Sequence, residues 1–201
     1  MTWYKNVRNL DKSQRLSILF GFLIVIGLLI VALGVLSTIK ITPYATYKNK
    51  KYGFEIKFPA YWKSVRHPPG GSVILFTSPK QDGLDQFQEN VNVSIRDMPQ
   101  AMTLEHFSSL VVNQVAGTFG EQINITQSVE IFLGGRTGYR LTFEGYGPKV
   151  ENPIMYVAAW TIVGNRAFII TYTGMKKEYP LYQKKVDTMI NSFKLFPPDV
   201  H

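Results

Sequence analysis

Hydrophobic positions follow two different patterns along this chain. From Leu16 to Ile39 (LSILFGFLIVIGLLIVALGVLSTI) no residue carries a charge, and the hydroxyls of Ser17, Ser37 and Thr38 sit at the ends. A helix rises about 1.5 Å per residue, so this run reaches roughly 36 Å and crosses a hydrocarbon core of about 30 Å with some tilt. It predicts a transmembrane helix over 16–39. Cleaved secretory signals have a shorter apolar region and a small-residue cut site. Here the run is long and the best cut site is Val35-Leu36-Ser37, so a retained anchor is expected.

Past Lys40 the apolar residues become periodic. Tyr52, Phe54, Ile56 and Phe58 alternate with Glu55 and Lys57, the pattern of a half-buried strand. Strand patterns recur at 72–77, 91–95, 123–133 and 138–145, and then at 154–163 and 167–173. Gly164-Asn165-Arg166 joins the last two as a hairpin. Two segments have helical spacing instead. Over 103–118, Leu104, Phe107, Leu110, Val111 and Val115 form a stripe behind the capping residue Thr103. Over 181–193, Tyr182, Val186, Met189, Ile190 and Phe193 share a face, with Pro180 where a first helical turn tolerates it. Strands and helices do not alternate regularly. The order predicts an α+β domain whose central, mainly antiparallel sheet carries two helices. The expected organisation is a tail at 1–15, the membrane helix, a stalk at 40–51, the domain at 52–195 and a C-terminal tail at 196–201.

Charge adds topology rather than chemistry. The formal net charge is +8, yet beyond Lys48-Asn49-Lys50-Lys51 no basic block appears, so no nucleic-acid partner is expected. Lys5, Arg8, Lys12 and Arg15 mark the short N-terminal tail as cytoplasmic, because short flanks are held by their charges while long domains translocate largely regardless of theirs. The basic cluster at 48–51 opposes that bias, and length decides for an extracytoplasmic domain. Membrane lipid around 16–39 is the first expected partner. With no cysteine in the chain, neither a lipoprotein anchor nor a redox clue is available.

Several short motifs then fall into a familiar order. They are Tyr52-Gly-Phe-x-Ile-x-Phe-Pro-x-x-Trp62, Val91-x-Val-x-Ile95 and Leu104-x-x-Phe107. Gly134-Gly-Arg-x-Gly-Tyr139, the hairpin, and a closing helix with Ser192-Phe193 follow. This order resembles the PsbP-like family over about residues 50–195. The resemblance implies an α/β/α sandwich on a central antiparallel sheet, a fold shared with a nuclear Ran-binding protein and with bacterial DcrB-type lipoproteins. The membrane helix and the short loops depart from photosynthetic PsbP and look more like membrane-tethered prokaryotic relatives.

Candidate chemistry is sparse. Of the three histidines, His67 lies in a Pro-Gly loop, His106 follows Glu105 in the first helix, and His201 is C-terminal. None has a second histidine or a cysteine at zinc-ligand spacing. Asp82, Asp85, Glu89 and Asp97 are the densest oxygen ligands, but their spacing is not that of a calcium loop. There is no GxSxG and no phosphate loop. No catalytic residue, cofactor or metal is therefore expected. The favoured reading is a non-catalytic docking module for a protein of a membrane or envelope complex. The other reading is an extracytoplasmic enzyme or metal- or ligand-binding protein using His67, Asp82, Asp85, Glu105 and His106, or a calcium-linked photosystem role of the PsbP kind. A polar cleft gathering those side chains would favour the second.

Overall fold

Alternating sequence builds strands where the pattern places them, and the register of those strands sets everything else. The computed structural model describes residues 43–80, 87–146 and 152–198. The predicted membrane helix at 16–39 and the tail at 1–15 lie outside the described residues, as does the loop holding Asp82 and Asp85. Among the described residues no helix is long and apolar enough to cross a membrane.

Strands β1 (Tyr44–Asn49) and β2 (Phe54–Pro59) pair antiparallel. The short β10 (Lys194–Leu195) joins the other side of β2 and completes a three-stranded sheet. A larger sheet holds β3 (Lys63–Arg66), β4 (Ile74–Thr77), β5 (Asn90–Asp97), β6 (Asn124–Leu133), β7 (Arg136–Gly145), β8 (Ile154–Val163) and β9 (Arg166–Met175). Its order is β3-β4-β5-β9-β8-β7-β6, with every neighbouring pair antiparallel.

Among the described residues two α-helices complete the α+β fold. Helix α1 (Leu104–Phe119) is capped by Thr103, whose Oγ1 accepts from the His106 amide at 3.2 Å, and it ends at Gly120 with φ +56°. It covers one face of the large sheet over Leu141, Phe143 and Trp160. Helix α2 (Tyr179–Asn191) buries Tyr182, Val186, Met189 and Ile190, the apolar face expected from their spacing. Together with the small sheet it covers the opposite face, over Val157, Phe168, Ile170 and Tyr172. The central antiparallel sheet is thus as expected, but one outer layer is a helix plus a second sheet.

Three boundaries differ from expectation. Tyr44–Asn49, read as stalk, is strand β1. It buries only Tyr47, so its sequence carries almost no apolar period and its conformation comes from pairing with β2. Strand β3 offers one apolar residue, Val65, and is likewise invisible to pattern. Residues 196–198, read as tail, lie against the β1–β2 turn, where the Phe196 amide donates to the Gly53 carbonyl at 2.8 Å. The helix stripe is also shifted: Ser108 is buried while Leu110 remains exposed.

Candidate functional site

The two margins of the large sheet are built from different sequence. At one margin β3 is four residues long, and Lys63, Ser64 and Arg66 are exposed. At the other, β6 runs for ten residues, and every side chain from Asn124 to Glu130 is exposed. Among the described residues β6 pairs with β7 alone, so the N–H and C=O groups of its outer side have no strand partner. Register assigns its side chains to faces. Ile125, Ser128 and Glu130 stand opposite Phe143, Leu141 and Tyr139 on the α1 side, and Val129 stands opposite Arg140 on the α2 side. Ile125, Val129 and Phe132 are large, apolar and exposed, Phe132 at 75%. Glu130 is the one charged side chain on the strand. Such an edge is ordinarily shortened, charged or covered, because it templates pairing with another chain.

This edge is held firmly from behind. Arg140 Nη1 of β7 donates to Asp187 Oδ1 of α2 at 2.8 Å, and Thr126 Oγ1 donates to the Thr142 carbonyl at 3.2 Å. Asn124 Nδ2 donates to Glu144 Oε1 at 2.7 Å, and Glu144 also meets Lys176. Those contacts hold the Glu144 carboxyl below its ordinary range, the Lys176 hydrogen bond being the largest cause.

Among the described residues the candidate ligands and catalytic groups are dispersed. His67 sits in the β3–β4 loop at φ +48°, His106 and Glu105 lie exposed in the first turn of α1, and Asp97 ends β5. Arg166 Nε donates to Asp97 Oδ1 at 2.6 Å, and this hydrogen bond depresses the aspartate's pKa. Glu89 is only 1% exposed and accepts from Ser78 Oγ at 3.2 Å, closing the base of the β4–β5 loop. Beside it the buried Tyr172 hydroxyl has no hydrogen-bond partner, and burial, with the Glu89 charge second, raises its pKa. Gly174 makes room for that hydroxyl, since a Cβ there would lie 2.0 Å from Tyr172 Oη. Among the described residues no three His, Asp or Glu gather into a metal-binding group. Sequence reasoning missed the open edge. Its apolar alternation signals a strand, but strand order alone makes it a margin.

Fold and surface together define an α+β sandwich with one guarded and one open sheet edge. The sequence profile of the PsbP family matches residues 42–195, and the chain belongs to that family. Solved structures share the fold. Cyanobacterial PsbP (CyanoP) from Synechocystis aligns with TM-score 0.56 at 18% identity, over 79% of this chain and 96% of that one. LpqN of Mycobacterium tuberculosis, described as involved in cell envelope biogenesis, aligns with TM-score 0.54 at 8% identity, over 77% and 91%. The Ran-binding protein Mog1p of Saccharomyces cerevisiae aligns with TM-score 0.53 at 9% identity, over 77% and 96%. No curated protein sequence matches the chain.

Proposed function

We propose that this protein is a membrane-tethered, extracytoplasmic, non-catalytic docking module that takes up an extended segment of a membrane- or envelope-complex protein along β6. The observation that carries the reading is the open ten-residue edge with Ile125, Val129 and Phe132 exposed on it. An added strand pairs with the outer backbone groups of β6, and alternate side chains of that strand meet the exposed apolar residues on either face. The partner is therefore an extended segment carrying β-branched or aromatic residues toward both faces. The separation of His67, in the β3–β4 loop, from Glu105 and His106, in α1, supports a role without chemistry. Ran binding by Mog1p and the envelope role of LpqN are consistent with protein docking on this fold. The uncharged run at 16–39 supports the tether, and the basic residues before it support a cytoplasmic N-terminus.

A photo-crosslinking residue placed at Val129, and separately at Ser64 of β3, tests the docking edge in the full-length protein in its own cells. We expect the Val129 position alone to capture a membrane-complex protein, through one extended peptide that competes when supplied free. Val129→Lys with Phe132→Lys should reduce that capture at least tenfold. Equal capture from Ser64, or capture insensitive to the lysines, would reject strand addition. Topology is read separately. Because the chain has no cysteine, Gln114→Cys should react with an impermeant maleimide in intact spheroplasts, and labelling only after lysis would place the domain inside.

A further inference from the structure

At one end of the large sheet the two sheets part to leave a cleft of about 480 Å³, whose lining shares no residue with the docking reading. Its first wall comes from register. Val163 pairs with Arg166, and beyond the last β7–β8 pair, Tyr139 with Trp160, the Arg136 guanidinium reaches the Ile162 carbonyl next to Val163. Three adjacent strands thus bring Arg136, Val163 and Arg166 to the lining of one cleft. The opposite wall is the Tyr52–Gly53 turn with residues 196–198. Gly53 is required there: at φ +69°, a Cβ would fall 2.1 Å from the Phe196 carbonyl oxygen. Phe168 and Leu195 contribute apolar surface.

The charges around this cleft are not balanced. Arg166 is already committed: it donates to Asp97 at 2.6 Å and its guanidinium lies 5.4 Å over the Tyr52 ring. Lys48 and Lys194 share a single carboxylate, Glu55, at 3.9 and 3.8 Å. Lys51 lies over the outer side of Tyr52 at 5.2 Å. Arg136 makes one hydrogen bond, from Nη1 to the Ile162 carbonyl at 3.3 Å, and has no carboxylate partner among the described residues. Of the two guanidiniums lining this apolar-floored cleft, Arg166 is paired with Asp97 and Arg136 with no carboxylate among the described residues. The planar fork of Arg136 suits a carboxylate, and the apolar floor of Phe168, Val163 and Leu195 suits an anion carried on an apolar body better than a strongly hydrated phosphate dianion.

We propose that this cleft binds a carboxylate borne on a short aromatic or branched apolar body. Arg136 takes the carboxylate, and Phe168, Val163 and Leu195 take the body. The volume is that of a small-molecule site. The chemistry fits a free aryl or branched-chain acid.

The test uses the full chain in nanodiscs, with N-acetyl-phenylalanine as probe and its amide and inorganic phosphate as controls, followed by calorimetry and by amide NMR shifts. The carboxylate should bind saturably and shift Gly53, Asn165 and Leu195, while the amide and phosphate bind at least tenfold more weakly. Arg136→Gln should cost at least tenfold. Arg136→Lys should recover only part of that loss, because it keeps charge without the fork. Ile125→Lys at the far end of the β6 edge should change nothing, which separates failure of this site from failure of the docking reading. Equal binding of amide or phosphate, an Arg136→Gln variant of unchanged affinity, shifts mapping elsewhere, or no saturable binding would each overturn the assignment.

Discussion

The two faces of the large sheet are covered to very different depths. On one face α2 and the three-stranded sheet close over Val157, Phe168, Ile170 and Tyr172, and meet them with Phe54, Ile56, Val186 and Met189. Phe54 has its ring centroid 5.6 Å from that of Phe193 and 6.3 Å from that of Phe168, so small sheet, large sheet and the end of α2 meet at one residue. On the other face α1 is the one covering helix among the described residues. It buries Phe107 and Ser108, leaves Leu110 47% exposed, and is flanked by an open groove lined by Arg96, Ile169 and Thr171. Burial of apolar area is the main favourable term in folding. The covered face therefore holds most of the stability, and the α1 face and the β6 margin are where the molecule tolerates change.

The strongest test of that contrast deletes a phenyl ring from each face in a fragment spanning Pro43–His201, the compact unit that retains β1. Phe54→Ala should cost about 3–5 kcal/mol, since surrounding layers fixed on three sides cannot collapse into the cavity. Phe107→Ala should cost less, about 2–3 kcal/mol, because α1 can settle and water already reaches its flank. Urea unfolding followed by circular dichroism measures both. Equal losses would mean that α1 is as firmly seated as α2 and would remove the asymmetry.

How much of this was legible in the sequence follows the same division. Strands that bury one face, such as Phe54–Pro59 and Arg136–Gly145, announce themselves by alternation, and α2 by a clean helical face. Elements held by pairing rather than by burial do not. Tyr44–Asn49 and Lys63–Arg66 each turn few apolar residues inward, so their sequences read as linker. The β6 margin and the Arg136–Arg166 cleft were hidden for another reason. Both depend on which strands become neighbours, and residues far apart in sequence meet only once the order β9-β8-β7-β6 exists. Glu89 misleads in the opposite direction. As a sequence it belongs with Asp82 and Asp85, but the fold takes it inside to bond Ser78.

A smaller effect probes how α1 is fixed to its thin face. Trp160 is fully buried in β8, and its indole Nε1 donates to Ser108 Oγ at 2.9 Å, a polar tie between helix and sheet inside an otherwise apolar contact. Ser108→Ala leaves that N–H buried without an acceptor and should cost about 1–3 kcal/mol. Indole emission in a Trp62→Phe background isolates Trp160 in the 43–201 fragment. The emission should shift as the helix loosens, with little change in the far-ultraviolet spectrum. Unaltered stability and emission would show that apolar contact alone seats α1.

The smallest expected effect concerns a rim outside both cores. Glu144 accepts from Asn124 Nδ2 at 2.7 Å and meets Lys176, so it ties the start of β6 and the end of β9 to β7 by charge. Its pKa is held below the ordinary glutamate value of 4.5, chiefly by the Lys176 hydrogen bond and then by Asn124. A carboxyl whose folded pKa is depressed binds its proton more readily in the unfolded chain. Its contribution is therefore complete above that ordinary value and is lost as pH falls through the lower, folded one. Lys176 is half exposed, which limits the tie to under about 1 kcal/mol. Glu144→Gln should leave stability at pH 3 nearly unchanged while lowering it slightly at pH 7, so that the acid limb of the stability curve flattens. Urea titrations of both forms from pH 7 to pH 3 read this directly. A loss at pH 7 as large as that of Phe54→Ala would mean that this ionic rim, rather than the apolar layers, holds the open edge in place.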